Sequence, residues 1–180
     1  SPVGSPALIA STTGSFPYGA VTLTKGINGG FIATATVNGN SAVTVLLDAS
    51  GTVMPGFPKT ASISGSGNLA TSAAQTASGV VMVSAVKGST STLLTYSNTA
   101  TQLGPAQTLS GLATISGVSG ENVNVVTGAA GSGSVTSQVY TPPTLTSTTA
   151  TNGSLTYGFN GPSFSVGGFD LDSNVVNPIT

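Results

Sequence analysis

The chain has 180 residues, of which 4% are charged, and it contains no Cys, no His and no Trp. Its only basic residues are Lys25, Lys59 and Lys87, too few to neutralise a run of phosphates, so a nucleic-acid partner is excluded. Absence of Cys excludes a disulfide framework and thiolate metal sites, and absence of both His and Cys removes the commonest general base and soft nucleophile, so the chain reads as a non-enzyme. With 38% hydrophobic residues and a net charge of -1 it lacks the composition of a disordered tail and is expected to fold. Ser and Thr, close to a third of the residues, must supply the solubility that charge does not.

Helix formers are scarce, β-branched residues abound, and 25 Gly and 10 Pro recur too often for long amphipathic helices, so the fold class is all-β, an antiparallel sandwich-like domain of hairpins. In chain order, Ser1 to Thr13 comes first, with Pro2 and Pro6 flanking Ala7-Leu8-Ile9-Ala10 and no hairpin partner nearby. It is read as an extended segment preceding a single all-β domain over residues 14–180. Either it pairs as an edge strand of its own domain, or it completes the sheet of a neighbouring subunit, with Leu8 and Ile9 as interface residues. Alternating segments follow at Ala20 to Lys25, Phe31 to Val37, Ala42 to Asp48, Val80 to Val86, Thr92 to Ser97, Val123 to Thr127, Val135 to Thr141, Leu155 to Phe159 and Phe164 to Val166. Hairpin turns are expected at Asn38-Gly39-Asn40, Lys87-Gly88-Ser89, Gly131-Ser132-Gly133 and Asn160-Gly161-Pro162, each rich in residues that tolerate positive φ. Val175 to Ile179 closes the chain as a second extended candidate.

Three short motifs bear on chemistry. Ser84-Ala85-Val86-Lys87 has the S-x-x-K spacing in which a lysine activates a serine, but in a strand positions three apart point to opposite faces, so the pair is not read as a nucleophile. Asn152-Gly153-Ser154 is a glycosylation sequon in a Thr-rich stretch, which chance also produces in such a composition. Asp170-Leu171-Asp172-Ser173-Asn174 places Asp170, Asp172 and Asn174 on one side of an extended segment. Oxygen ligands at alternate positions suit Ca²⁺, and a solvated loop is the alternative. No cofactor is expected beyond calcium at that one candidate site.

Phe31, Val80, Val123 and Phe164 each open a unit of roughly 40 to 50 residues, a spacing typical of repeat architectures. The first two units match best. Val45-Leu46-Leu47-Asp48-Ala49-Ser50-Gly51-Thr52 runs on to Pro55-Gly56-Phe57-Pro58, and Leu93-Leu94-Thr95-Tyr96-Ser97-Asn98 runs on to Leu103-Gly104-Pro105. The stretch Leu47 to Gly51 with Pro55 to Pro58 resembles repeats of quinoprotein-like β-propellers, which implies a small four-bladed propeller as the alternative fold. The propellers' tryptophans and calcium loops are missing here.

The low-charge, Cys-free, Ser/Thr/Gly/Val-rich composition as a whole is similar to that of secreted archaeal and bacterial surface fibre proteins, pilin-like proteins joined by donor strands. That resemblance implies an extracellular or cell-surface structural subunit of a pilus-like filament or surface layer, a homopolymer whose partner is itself. A secreted propeller or lectin-like adhesion module and a virion structural protein are the alternatives. The start at Ser1 without Met is read as the mark of a processed, mature chain. No apolar run reaches the roughly 18 residues that a membrane span requires, so no transmembrane segment is expected.

Overall fold

The computed structural model describes residues 18–129, 134–143, 147–148 and 155–156. Among these the backbone forms strands and a single 3-10 turn at Ile27–Gly29, with no α-helix. The first sheet is a meander of β1 (Tyr18–Lys25), β2 (Phe31–Val37), β3 (Ser41–Leu47) and β4 (Lys59–Ser62), hydrogen-bonded in that order. The second repeats it with β5 (Leu69–Gln75), β6 (Val81–Lys87), β7 (Thr90–Tyr96) and β8 (Gln107–Ser110). In the third, β9 (Leu112–Ser119), β10 (Asn122–Gly128) and β11 (Ser134–Tyr140) lead to the short β12 (Ser147–Thr148), and β13 (Leu155–Thr156) also pairs with β11. The protein is therefore all-β and antiparallel, with sheet packed on sheet and no closed barrel among the described residues.

The expected strands at Phe31 to Val37, Ala42 to Asp48, Val80 to Val86, Thr92 to Ser97, Val123 to Thr127 and Val135 to Thr141 all exist, shifted by at most two residues at either end. Asn38-Gly39-Asn40 and Lys87-Gly88-Ser89 turn the two hairpins assigned to them, with Gly39 and Gly88 at φ of 65° and 62°. β10 and β11 pair as expected, although Gly131-Ser132-Gly133 between them lies outside the described residues. Strands β4, β5, β8, β9 and β12 were not expected. The second strand of each sheet begins at Phe31, Val81 and Asn122, within a residue of three of the repeat starts; Phe164 lies outside the described residues.

The registers make the repeat quantitative. Leu23 faces Ala33 across β1 and β2, Ala73 faces Val83 across β5 and β6, and Ile115 faces Val125 across β9 and β10. Val21, Thr71 and Ala113 are likewise equivalent, opposite Ala35, Ala85 and Thr127. Because side chains alternate along a strand, each sheet has two chemically distinct faces. One carries Ile32, Thr34 and Leu46 in the first sheet and Met82, Ser84 and Leu93 in the second; it packs against the following sheet. The other carries Val81, Val83 and Ala85 in the second sheet and Val123 and Val125 in the third, and it meets the preceding sheet. The first strand of a sheet, β5 or β9, lies against the first three strands of the sheet before it.

Two apolar cores result. Between the first and second sheets, Ile32, Ala42 and Leu46 meet Leu69, Ala73, Val81, Val83 and Leu94, and the loop residues Phe57 and Ile63 close the wide side. The Phe57 ring stands edge-on to Tyr96 at 6.5 Å between centroids, the geometry that the ring quadrupoles favour. Between the second and third sheets, Ala74, Met82 and Leu93 meet Ala113, Ile115, Val123, Val125 and Tyr140.

Hydroxyls do the work at the seams. Thr34 Oγ1 and Thr71 Oγ1 are 2.8 Å apart in the first seam. In the second, the outer edge of β9 is received by serines on three different strands. Ser72 Oγ accepts from the Ile115 amide (2.9 Å), Ser84 Oγ donates to the Ala113 carbonyl (2.6 Å), and Ser91 Oγ accepts from the Ala113 amide (2.7 Å) while donating to the Gly111 carbonyl (2.8 Å). In an antiparallel pair alternate residues turn their backbone groups away from the partner, so without these serines the edge of β9 would be a buried row of unpaired groups.

Candidate functional site

One five-residue turn recurs at the same end of the sheets. In it the first residue's amide donates to the fifth residue's carbonyl: Asp48 to Thr52, Thr76 to Val80, Ser97 to Thr101 and Gly26 to Gly30. The fourth residue takes a left-handed conformation each time, at Gly51 (φ 83°), Gly79 (93°), Ala100 (64°) and Gly29 (77°). In the three turns that begin at Asp48, Thr76 and Ser97 a short polar side chain at the first position fastens the loop from inside. Asp48 Oδ1 accepts from the Ser50 amide, the Ser50 hydroxyl and the Thr52 amide, and Ser97 Oγ accepts from the amides of Thr99 and Thr101. The Ser50 hydroxyl first, and then the Thr52 amide, hold the Asp48 carboxyl below its ordinary 3.8. Asp48, the acid in the stretch that resembles a propeller repeat, is thus a turn fastener.

Between these turns lies a cleft of about 240 Å³ lined by Ile27, Leu46, Asp48, Met54, Gln75 and Asn98, among others. Two of its polar residues serve the protein itself. Gln75 Oε1 accepts from the Ile27 amide at 3.0 Å, its Nε2 donates to the Gly79 carbonyl at 3.2 Å, and Asp48 is engaged as described. The cleft is a seam between turns, and these internal hydrogen bonds hold part of its wall. Nearby, Glu121 on the turn between β9 and β10 accepts from the Ser78 amide (2.7 Å) and hydroxyl (2.6 Å), while the Ala77 amide donates to the Gly120 carbonyl. This latch ties the second sheet to the third, and the Ser78 hydroxyl lowers the Glu121 pKa from its ordinary 4.5.

Ser84 and Lys87 are both buried and separate as the strand geometry requires. Ser84 bonds the third sheet, whereas Lys87 Nζ donates to the Ile63 carbonyl at 3.3 Å. Among the described residues no three Asp, Glu, His or Cys gather where they could hold a metal. The calcium candidates Asp170, Asp172 and Asn174, the sequon residue Asn152, and Leu8 and Ile9 all lie outside the described residues. Among the described residues no helix is long and apolar enough to cross a membrane.

The surface that departs most from expectation is apolar. Val21 is 65% exposed, Leu23 64% and Phe31 38%. All three lie on the face of the first sheet turned away from the second, beside a small buried cluster of Ala33, Val37, Val43 and Val45. The repeat registers give them equivalents: Thr71 and Ala113 for Val21, Ala73 and Ile115 for Leu23, Val81 and Val123 for Phe31. Every one of those equivalents is buried against the preceding sheet. The sequence could have disclosed this patch, since all three residues sit in expected strands; their meaning depends on aligning them with β5 and β9, which were not expected. No protein-family model, no curated protein and no solved structure matches this chain.

Proposed function

We propose that this chain is a non-enzymatic structural subunit of an extracellular filament or surface assembly, built by association of the chain with itself. The observation that carries the reading is the patch of Val21, Leu23 and Phe31, exposed where the same positions of the next two sheets are core. Water penalises large contiguous apolar surface, and such patches mark places where another surface sits. Composition adds to it. With three lysines and four acidic residues in the chain there is little self-repulsion to hold copies apart. Strand exchange through residues 1 to 13 is one way such subunits would lock together. A propeller-like or lectin-like binding module is less well supported, because the cleft between the turns has two of its principal polar groups committed internally. Sedimentation and negative-stain microscopy test the proposal: long polymers or sheets are expected, and a protein that stays monomeric at every concentration refutes it. Deleting residues 1–13 tests strand exchange separately, since polymers of unchanged form would exclude it.

A further inference from the structure

We infer that the outer edge of β8 is a pairing surface for the same edge of a second copy, so that the second sheets of two molecules join antiparallel across a two-fold axis into one continuous sheet. This joint rests on the self-assembly reading above and names one contact through which copies meet.

β8 is the last strand of the second sheet and pairs on one side only, with β7. The Gly111 amide donates to the Ser89 carbonyl, so Ser91 and Leu109 form the next bonded pair of the ladder, and Thr108 and Ser110, opposite Thr92 and Thr90, turn their amides and carbonyls outward. Among the described residues no group hydrogen-bonds these outward amides and carbonyls, and both residues are exposed. Charge sets this edge apart from the others. β1 carries Lys25 and β4 carries Lys59, the kind of side chain that keeps edge strands from pairing, β5 is packed between the first and third sheets, and the edge of β9 is received by the serines. β8 has none of these protections: it reads Gln-Thr-Leu-Ser, and the chain has no charged residue from Gly88 to Gly120.

The outward groups set the register of the pairing. Thr108 of each copy faces Ser110 of the other, and each of these pairings exchanges an N–H···O=C bond in both directions. Leu109 then lies on the axis opposite its own copy, in a non-bonded pair, where side chains approach most closely. It is half-buried against the core between the second and third sheets, so the pairing extends that core across the joint. Thr108 and Ser110 lie on the other face and bring only neutral hydroxyls, so closing the joint strands no ion. A two-fold contact is isologous and joins copies in pairs; a long polymer adds a second contact of a different kind to it.

Absence of Cys from the chain gives a clean test. Full-length Leu109→Cys, oxidised and run without reductant, should form a disulfide-linked dimer, because the axis brings the two sulfurs together, whereas Ala61→Cys, at the equivalent position of β4, should not. The Thr108 amide points outward, so Thr108→Pro spares the ladder with β7 while removing one donor from each copy. With its fold checked by circular dichroism, it should raise the concentration needed for assembly by about tenfold or more, and Thr108→Lys, which adds the kind of charge that β4 already carries, should do the same. Hydrogen exchange on the unaltered protein gives a direct readout, since the Thr108 and Ser110 amides should exchange freely when it is dissociated and become protected on assembly. If wild type polymerises with these amides unprotected, the joint is elsewhere and only this inference fails. If the amides are protected but Leu109→Cys cross-links no better than Ala61→Cys, a strand other than β8 occupies the edge and the two-fold pairing is refuted. If wild type is monomeric throughout, the self-assembly reading falls with it.

Discussion

Ser91→Ala removes one oxygen from the seam between the second and third sheets, and its cost follows from what that oxygen serves. The side chain is fully buried, donates to the Gly111 carbonyl at 2.8 Å and accepts from the Ala113 amide at 2.7 Å. Alanine fills nearly the same space but satisfies neither group. A buried backbone group left without a partner costs about 1 to 3 kcal/mol, so two of them place the loss at about 2 to 6 kcal/mol. Ser84→Ala, which orphans only the Ala113 carbonyl, should cost about half as much. Urea unfolding of the three proteins measures this as a fall in midpoint at constant m-value, and amide exchange adds a local readout, because the Ala113 amide should lose protection in Ser91→Ala but keep it in Ser84→Ala. If Ser91→Ala stays within about 0.5 kcal/mol of wild type with the Ala113 amide still protected, the hydroxyls are not what holds the edge of β9, and the account of that seam is wrong.

Gly39 and Gly88 occupy the same place in successive hairpins at nearly the same φ, but a Cβ on Gly39 meets nothing within 4 Å whereas one on Gly88 falls 2.4 Å from the Ser66 carbonyl oxygen. Gly39→Ala should therefore cost the left-handed backbone penalty of about 1 to 2 kcal/mol, and Gly88→Ala roughly 1 to 3 kcal/mol more; equal midpoints in urea would refute the contact. Lys87→Met keeps the volume of a buried side chain whose ammonium group has the Ile63 carbonyl as a partner, so stability is expected to stay level or rise by about 1 kcal/mol, and a clear fall in the urea midpoint would count against it. Asp48 and Glu121 bind protons more weakly in the folded state, so what they add is fully present above their ordinary 3.8 and 4.5 and is lost as pH falls through the lowered values. Burial raises Tyr96 and Tyr140 above 10.0, so their contribution is intact below that pH and is lost as pH rises through the raised values. The melting temperature should hence form a plateau from about pH 5 to 9 that Glu121→Gln leaves flat while softening the acid limb, and a steep slope inside the plateau would refute this.

How far the sequence discloses the fold depends on which strands carry their own signal. Phe31–Val37 is bounded to the residue, because alternation and β-branching agree in Phe-Ile-Ala-Thr-Ala-Thr-Val and Gly30 and Asn38 stop it on either side. β5 reads Leu-Ala-Thr-Ser-Ala-Ala-Gln, and neither Ala nor Ser favours a strand. It is a strand because small side chains let it lie close against the first sheet, a tertiary reason that local pattern does not contain. β9 is concealed by Gly117 and by the register shift opposite Asn124 and Val125, which breaks the alternation, and β4 and β8 are four-residue edge strands. The candidate site was harder still. The stretch from Leu47 to Gly51 stands out as a motif, but only the three hydrogen bonds at Asp48 reveal a fastener, and the partnership of Glu121 with Ser78 spans 43 residues.

The serine-lined seam also has a bearing on ionic strength. Its contacts, at Ser72, Ser84 and Ser91, join neutral hydroxyls to neutral backbone groups. Dissolved ions weaken attraction between charges by gathering around them, and here there are no charges for them to gather around. Excluded salts such as sulfate would strengthen the apolar part of the same seam. These hydroxyl contacts therefore persist from dilute water to brine, whereas the Glu121 latch to Ser78 at the end of the same two sheets carries a charge that dissolved ions can screen.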